Sequence, residues 1–442
     1  MTHTRTPSLE RATLFSTAGA VIYGITLVLM DVAIAYRYGT GTQAAVYQSA
    51  YLIQTVLIGM LSGGVIFGAF VPVFIRLGGQ HLQPEAGLFL RASAGLVLVI
   101  LIPLAVLLTG FAPALALVIA SGFDPAGRQE ITNTLRLMLP MLIPHGLASV
   151  YGGALISTGR VGFANLVPLL IPATGLATYP WWGAHNGAEL IAGGYLLGAL
   201  LLAMAMGLRL RPDGFRIAPA RPERSPEWKT FFHGYGMTAM ATAALSALLL
   251  VNQAVAGSLS ARDLAAFSYG TKLVLLALAF FTTIVNSVAL PYFSAMISRL
   301  DHAAIWPYVR SFLLRSFALA GLGMLLWLFL AGWIVDVVYA RGEFSDADAA
   351  LVAAVQRSFV LQIPFYVVGV FCWRMLNALG QWRPLLLATI PALVLDLAVV
   401  SWLASEYNAP GIAAAHTLSI AVWALILLFT MRARLKAARI QI

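Results

Sequence analysis

The sequence predicts an all-α polytopic membrane protein of about twelve transmembrane helices in two six-helix lobes, and three observations carry that expectation. The chain has 442 residues, 60% of them hydrophobic and 10% charged, with a mean hydropathy of +0.86. A water-soluble domain carries about a quarter charged residues, so this chain has too little polar surface to cover a globule. Apolar runs of roughly 20 residues, the length that crosses the hydrocarbon core, recur from end to end. Arginine and lysine cluster in alternate connections between those runs, as the positive-inside bias requires.

The spans are expected near 14–36, 47–75, 89–111, 132–157, 162–183, 187–208, 232–256, 264–293, 311–334, 350–379, 384–404 and 409–431. Polar residues precede the first run and no small-residue cleavage site follows it, which reads as a retained span and not a signal peptide. The tails and the connections after even-numbered spans hold Arg5, Arg11, Arg76, Arg160, Arg209, Arg211, Arg216, Arg221, Arg224, Lys229, Arg299, Arg310, Arg383, Arg432, Arg434, Lys436 and Arg439. The opposite connections hold Arg37, Arg128, Arg262 and Arg341, mostly beside acids such as Asp124, Glu130, Asp263 and Glu343. That asymmetry orients both termini toward the cytoplasm. The expected location is the bacterial cytoplasmic membrane.

The longest polar interruption divides the chain into an N-terminal lobe (1–208), a basic cytoplasmic linker (209–229) and a C-terminal lobe (230–442). The halves resemble each other. Phe70-Val71-Pro72-Val73-Phe74 matches Ala289-Leu290-Pro291-Tyr292-Phe293, Ile143-Pro144 matches Ile363-Pro364, and Ile171-Pro172 matches Ile390-Pro391. The glycine turns Thr158-Gly159-Arg160 and Leu379-Gly380-Gln381 follow suit, and each pair is about 220 residues apart. An even number of spans per half gives both copies one orientation, a parallel repeat about an axis along the membrane normal. Pro140, Pro144, Pro168, Pro172 and Pro364 each remove a backbone donor and bend a span. The matched pair Pro144 and Pro364 are the candidate hinges.

The composition argues against several function classes. Net charge is +10, but the basic residues follow topology and form no patch with interleaved aromatics, so nucleic acid is not an expected partner. The single cysteine, Cys372, excludes an intrachain disulfide. His81, His145, His185, His233, His302 and His416 are scattered without metal-ligand spacing, and most read as loop or helix-end residues. No nucleophile–base set, paired carboxylates or phosphate loop stands out. The expectation is no catalytic residue, no metal, no cofactor and no enzymatic reaction.

Ionisable groups inside spans commonly cost several kcal/mol and each needs an account. Lys272, after Ser268-Tyr269-Gly270-Thr271, either snorkels to the outer interface or presents a cation to a cavity. Asp31, the only acid of the first span, either faces the cavity or pairs with an outer-end cation such as Arg37. Asn252 and Gln253 line a polar path or bond to a neighbouring helix. Arg374, Arg136, Arg315, Arg357, Asp336 and Asp396 lie nearer span ends. Lys272, Asp31 and Asn252 are the candidate substrate-binding residues.

Several segments resemble one family. Asp31-Val32-Ala33-Ile34-Ala35-Tyr36-Arg37-Tyr38-Gly39 is similar to the first-span signature of MurJ-type (MviN-like) lipid II flippases, members of the multidrug/oligosaccharidyl-lipid/polysaccharide exporter superfamily. Gly68-Ala69-Phe70-Val71-Pro72-Val73 resembles their second-span ending, and Ala289-Leu290-Pro291 their eighth. Tyr339-Ala340-Arg341-Gly342-Glu343-Phe344-Ser345-Asp346-Ala347-Asp348 resembles their "RG-x-F-(T/S)-x-x-D" loop, and Ala378-Leu379-Gly380-Gln381-Trp382-Arg383-Pro384 their "ALGDTRTP" turn. The resemblance implies two six-helix lobes that move lipid-linked saccharide precursors across the membrane, with a cluster of cavity arginines meeting the pyrophosphate. Here Gly24 and Met30, Ile58 and Gly59 occupy those arginine positions, Gly63 replaces the acid that follows, and Lys272 is the surviving cation. The twelve expected spans also lack the two additional C-terminal helices of many lipid II flippases. The implied function is a flippase for an undecaprenyl-linked saccharide: an exopolysaccharide or cell-envelope unit, or lipid II. Membrane lipids and glycan polymerase or glycosyltransferase machinery are the implied partners. The competing readings are a cation-coupled drug exporter of the same superfamily and a non-transporting scaffold subunit of an envelope-synthesis complex.

Overall fold

The computed structural model describes residues 9–61, 63–221, 227–284, 302–378 and 383–437. Among them every regular element is helical. The expected segments 289–293 and 379–382 lie outside the described residues.

The first three expected spans are α1 (Leu9–Tyr38), the pair α2 (Thr42–Leu61) and α3 (Gly63–Arg76), and α4 (Pro84–Gly110), which begins with proline at its first position. The short α5 (Ala112–Ile119) leads to α6 (Pro125–Met138), capped by the Asp124 carboxylate, which accepts from the Gly127 amide at 2.9 Å. A 3₁₀ turn at Leu139–Met141 joins α6 to α7 (Leu142–Ser157), and another at Val167–Leu169 joins α8 (Val161–Leu166) to α9 (Leu170–Ala177). These tight turns fall where Pro140 and Pro168 withhold an amide, so a local 3₁₀ adjustment replaces the lost ladder bond. α10 (Gly187–Leu210), α11 (Glu227–Leu259) and α12 (Ala261–Ile284) follow.

α13 (His302–Tyr339) is the long ninth span. Its Leu319, Leu322, Leu326, Phe329 and Trp333 recur at helical spacing and are exposed, with Phe329 85% accessible. An apolar stripe of that extent on an isolated chain marks the lipid face. α14 (Asp346–Val360) and α15 (Ile363–Ala378) form the tenth span, bent by 45° at Leu361–Gln362. The last element, α16 (Arg383–Ala437), is two spans joined at Asn408, whose φ of 52° and ψ of −141° are not helical. The chain reverses there: Ser419 Oγ donates to Asp396 Oδ1 at 3.1 Å, although 23 residues of straight helix would hold them roughly 34 Å apart.

Seven described helical segments are long and apolar enough to cross a membrane, or eight with the bent α14–α15 pair. α2, α11 and α12 are not in that count, yet each is helical where a span is expected, and α11 contributes the shorter apolar stretch Leu245–Leu259. The protein is multi-pass.

The chain divides into two compact units. The first comprises residues 1–34 and 42–243, the second 35–41 and 244–442. In the first, α10 lies against α9 with almost no side chain between them: a Cβ on Gly198 would stand 2.6 Å from Ile171 Cα, and one on Gly194 2.7 Å from the Thr174 carbonyl. Small residues one turn apart let two backbones approach, the usual packing solution where lipid supplies no hydrophobic drive. In the second unit, Phe371, Cys372, Met375 and Leu376 of α15 pack on Ala388, Ala392, Trp423 and Leu427 of the α16 hairpin.

Candidate functional site

Each unit carries a buried polar cluster. In the first, Asp31 on α1 is 2% exposed and accepts from Gln48 Nε2 on α2 at 3.2 Å. The Tyr47 and Tyr195 hydroxyls lie 2.9 Å apart, with Tyr47 stacked on Tyr51. A carboxylate out of water needs donors, and α2 supplies one. Nearby, Gln43 bridges two elements, donating to Glu130 at 2.7 Å and accepting from the Ala188 amide at 3.0 Å. Gly24 and Gly59, at positions where the family resemblance implies arginine, have open space where a Cβ would stand.

In the second unit, Asn252 on α11 is fully buried; its Nδ2 lies 3.0 Å from His416 Nδ1 and also reaches the Leu248 carbonyl. The His416 ring stacks on Phe359 at 5.0 Å. Asp396, also fully buried, accepts from Ser419 and lies beside Asn252. Gln253, the next residue on α11, faces α12 and exchanges hydrogen bonds with Ser268 at 3.2–3.4 Å. One turn further along α12, Lys272 is half-buried.

His145, half-buried in α7, and His416, buried in α16, are therefore helix residues and not loop or helix-end ones. Asp396 is a mid-span acid, not a near-end one: it stands 12 residues, about 18 Å of helix, before the Asn408 reversal. The clue was the reversal itself. An asparagine followed by alanine and proline marks a turn, and counting back from it places Asp396 in the middle of its span. Among the described residues no group of His, Cys, Asp and Glu is disposed to hold a metal ion.

Of the two candidate hinges, Pro364 lies beside a bend and Pro144 follows a 3₁₀ turn within a continuous span. Pro364 is buried at the start of α15, next to the 45° bend. The Gln362 side chain turns back to donate to the Phe359 carbonyl at 3.0 Å, which satisfies an acceptor released by the break. Pro144 is buried in the first turn of α7, after the 3₁₀ turn that Pro140 opens.

A third polar assembly closes the end of α1 onto the loop before α14. The Glu343 amide donates to the Tyr36 carbonyl at 3.0 Å, and Tyr269 Oη donates to the Gly39 carbonyl at 3.3 Å. Thr40 Oγ1 donates to Asp348 Oδ1 at 2.7 Å, and Arg262 donates to the same oxygen at 2.9 Å. Asp348 also completes a capping box with Ser345 at the start of α14.

The profile of the family described as lipid II flippase MurJ matches residues 34–442. The chain belongs to the MurJ family. Among curated relatives, the "Probable lipid II flippase MurJ" of Synechocystis sp. is 28% identical over 376 residues, 80% of this chain and 68% of that protein. The protein of the same name from Rhizobium meliloti is 26% identical over 437 residues, 94% of this chain and 80% of its own length. Among solved structures, "Lipid II flippase MurJ, inward closed conformation" superposes with a TM-score of 0.78 at 17% identity, covering 95% of this chain and 87% of that one. An inward-facing multidrug resistance transporter of the MATE family and MOP superfamily gives 0.75 at 13% identity, covering 97% and 99%. At those identities the structures establish a shared fold. In this MurJ-family chain the motif residues Tyr36, Gly39, Gly342 and Glu343, which suggested the family, are in contact with one another, and Asp348 of the same motif is held by Thr40.

Proposed function

We propose that the chain flips a polyprenyl-linked saccharide precursor, lipid II or a related undecaprenyl-linked envelope glycan, across the bacterial cytoplasmic membrane. The family match over residues 34–442 is the observation that carries this reading. It favours a lipid-linked substrate over the small amphipathic cargo of drug exporters.

The mechanism proposed is alternating access by two lobes, 1–208 and 230–442, related by a parallel repeat and joined by the basic linker 209–229. Pro144 and Pro364 serve as hinges, since each withholds the amide that would otherwise resist bending of its span. Lys272 meets the substrate phosphate as a point charge. Asp31 and Asn252 complete the candidate substrate-binding set. Both termini face the cytoplasm, and the chain carries its substrate chemically unchanged. Glycan polymerase or glycosyltransferase machinery would supply or consume the cargo.

The test is a flipping assay in proteoliposomes with lipid II and, separately, an undecaprenyl-pyrophosphate oligosaccharide without the peptide. Lys272→Gln is expected to reduce flipping at least tenfold with normal reconstitution, and Lys272→Arg to retain most of it. Full activity of a well-reconstituted Gln variant would remove Lys272 from the site. Failure of the wild-type chain on both substrates would overturn the functional reading.

A further inference from the structure

At the foot of α4 a cavity of about 370 Å³ opens between the start of that helix and the segment after α10. Leu82, Leu88, Arg91, Asp213, Phe215 and Arg216 are among its lining residues. Its charge is uneven. Asp213 is held by Arg160 through both carboxylate oxygens, with Nε donating to Oδ2 at 2.7 Å, so its charge is already neutralised. That hydrogen bonding also pushes the Arg160 pKa further up, which keeps the guanidinium charged. Arg91 spends Nε on the Ala218 carbonyl at 3.0 Å, and neither Arg91 nor Arg216 has a carboxylate partner among the described residues. Glu85, on the first turn of α4, does not line the cavity. Two positive charges therefore share it with one neutralised acid.

The apolar part of the rim leads into the bilayer. Leu88 is 62% exposed, and Val99, Ile102 and Val106 are also exposed on α4. At 3.6 residues per turn these four fall within roughly 40° of one line along the helix. From Leu88 to Val106 that line runs about 27 Å, close to the roughly 30 Å thickness of the hydrocarbon core. Leu88 thus stands at one edge of the core, and the arginines beside it stand at headgroup depth. Leu82 adds a separate sign. It is exposed with φ +57°, a left-handed conformation that is strained for a non-glycine residue. A strained backbone that holds an exposed leucine at this rim fits a residue whose side chain enters lipid.

We propose that this cavity is a binding site for an anionic phospholipid of the leaflet next to the basic 209–229 linker, with the phosphate between Arg91 and Arg216 and an acyl chain along the Leu88–Val106 face. The chemistry recognised is a phosphate ester; the apolar stripe at the cavity mouth selects the lipid-borne form over the free ion. The site shares no residue with Lys272 or with either buried polar cluster.

The experiment uses the full-length chain in phosphatidylcholine vesicles, with spin-labelled phosphatidylglycerol or spin-labelled phosphatidylcholine as probe and the motionally restricted fraction as readout. Wild-type protein is expected to prefer phosphatidylglycerol. The preference should fall about fivefold for each arginine replaced in Arg91→Gln and Arg216→Gln, the equivalent of ~1 kcal/mol per cation at an anionic headgroup. Arg91→Lys keeps the charge, so it should retain the preference and show that loss in the Gln variant is not misfolding. Inorganic phosphate at matched ionic strength should leave the restricted fraction unchanged. An unaltered preference in the folded double-Gln variant would overturn the site, and full displacement by inorganic phosphate would make it a soluble-anion site and overturn the lipid assignment.

Discussion

Gly39 and Gly342 hold opposite sides of one contact: a Cβ on Gly39 would stand 2.5 Å from the Glu343 carbonyl oxygen, and a Cβ on Gly342 would collide with the Tyr36 carbonyl. Both have left-handed backbones, with φ of +53° and +64°. Side chains are excluded at both positions, for steric and for conformational reasons.

Gly39→Ala and Gly342→Ala are accordingly expected to destabilise the second unit by about 1–3 kcal/mol each. Thr40→Val removes one hydrogen bond, but Arg262 and Ser345 still serve the Asp348 carboxylate. Its cost should be near 1 kcal/mol. Thermal unfolding in detergent should rank both glycine variants below Thr40→Val, and the opposite order would refute the account of this contact.

Straightening the broken spans is a test of the hinges. Pro144→Ala and Pro364→Ala restore a backbone donor to each helix. Insertion and thermal stability should be preserved or slightly raised, while the flipping rate falls several-fold in the double variant. An undiminished rate would leave both prolines as tolerated bends with no part in transport.

Topology is open to direct labelling because Cys372 is fully buried and gives a silent background. Arg221→Cys and Asp346→Cys place thiols at exposed positions on the linker and at the first residue of α14. The arginine asymmetry expects Arg221→Cys to react with an impermeant maleimide only from the cytoplasmic face, and Asp346→Cys only from the opposite one. Labelling of both from a single face would overturn the span arrangement.

The reversal at Asn408 stores strain that is removable. Its φ and ψ lie in a region that glycine occupies freely and a β-branched residue does not. Asn408→Gly should leave the melting temperature unchanged or raise it, and Asn408→Val should lower stability by about 1–3 kcal/mol. Equal stability of the two variants would contradict the backbone geometry.

The span pattern was legible because apolar runs and loop charges are local properties of the chain. Family membership was legible for a less local reason: the first-span ending and the 339–348 segment meet in space, and the glycines at their contact have little chemical freedom. The buried clusters were harder to see. Asn252 and His416 are 164 residues apart, and neither residue type alone distinguishes a helix-packing contact from a pore-lining one. The cavity beneath α4 could not be read from periodicity, since it depends on Ala220 returning to hydrogen-bond the Arg91 carbonyl at 2.9 Å. Lys272, Asp31 and Asn252 could be singled out from the cost of burying polar groups, but that cost does not say what pairs with them.

The tight join at Asn408 also bears on biosynthesis. Residues 383–437 carry two spans with only a few polar residues, Glu406 to Asn408, at their turn. An emerging chain therefore presents the two spans with almost no connecting loop between them. Asp396 gains its Ser419 donor only when the second span is in place. The pair is expected to enter the bilayer as a helical hairpin, in which the donor and acceptor arrive together.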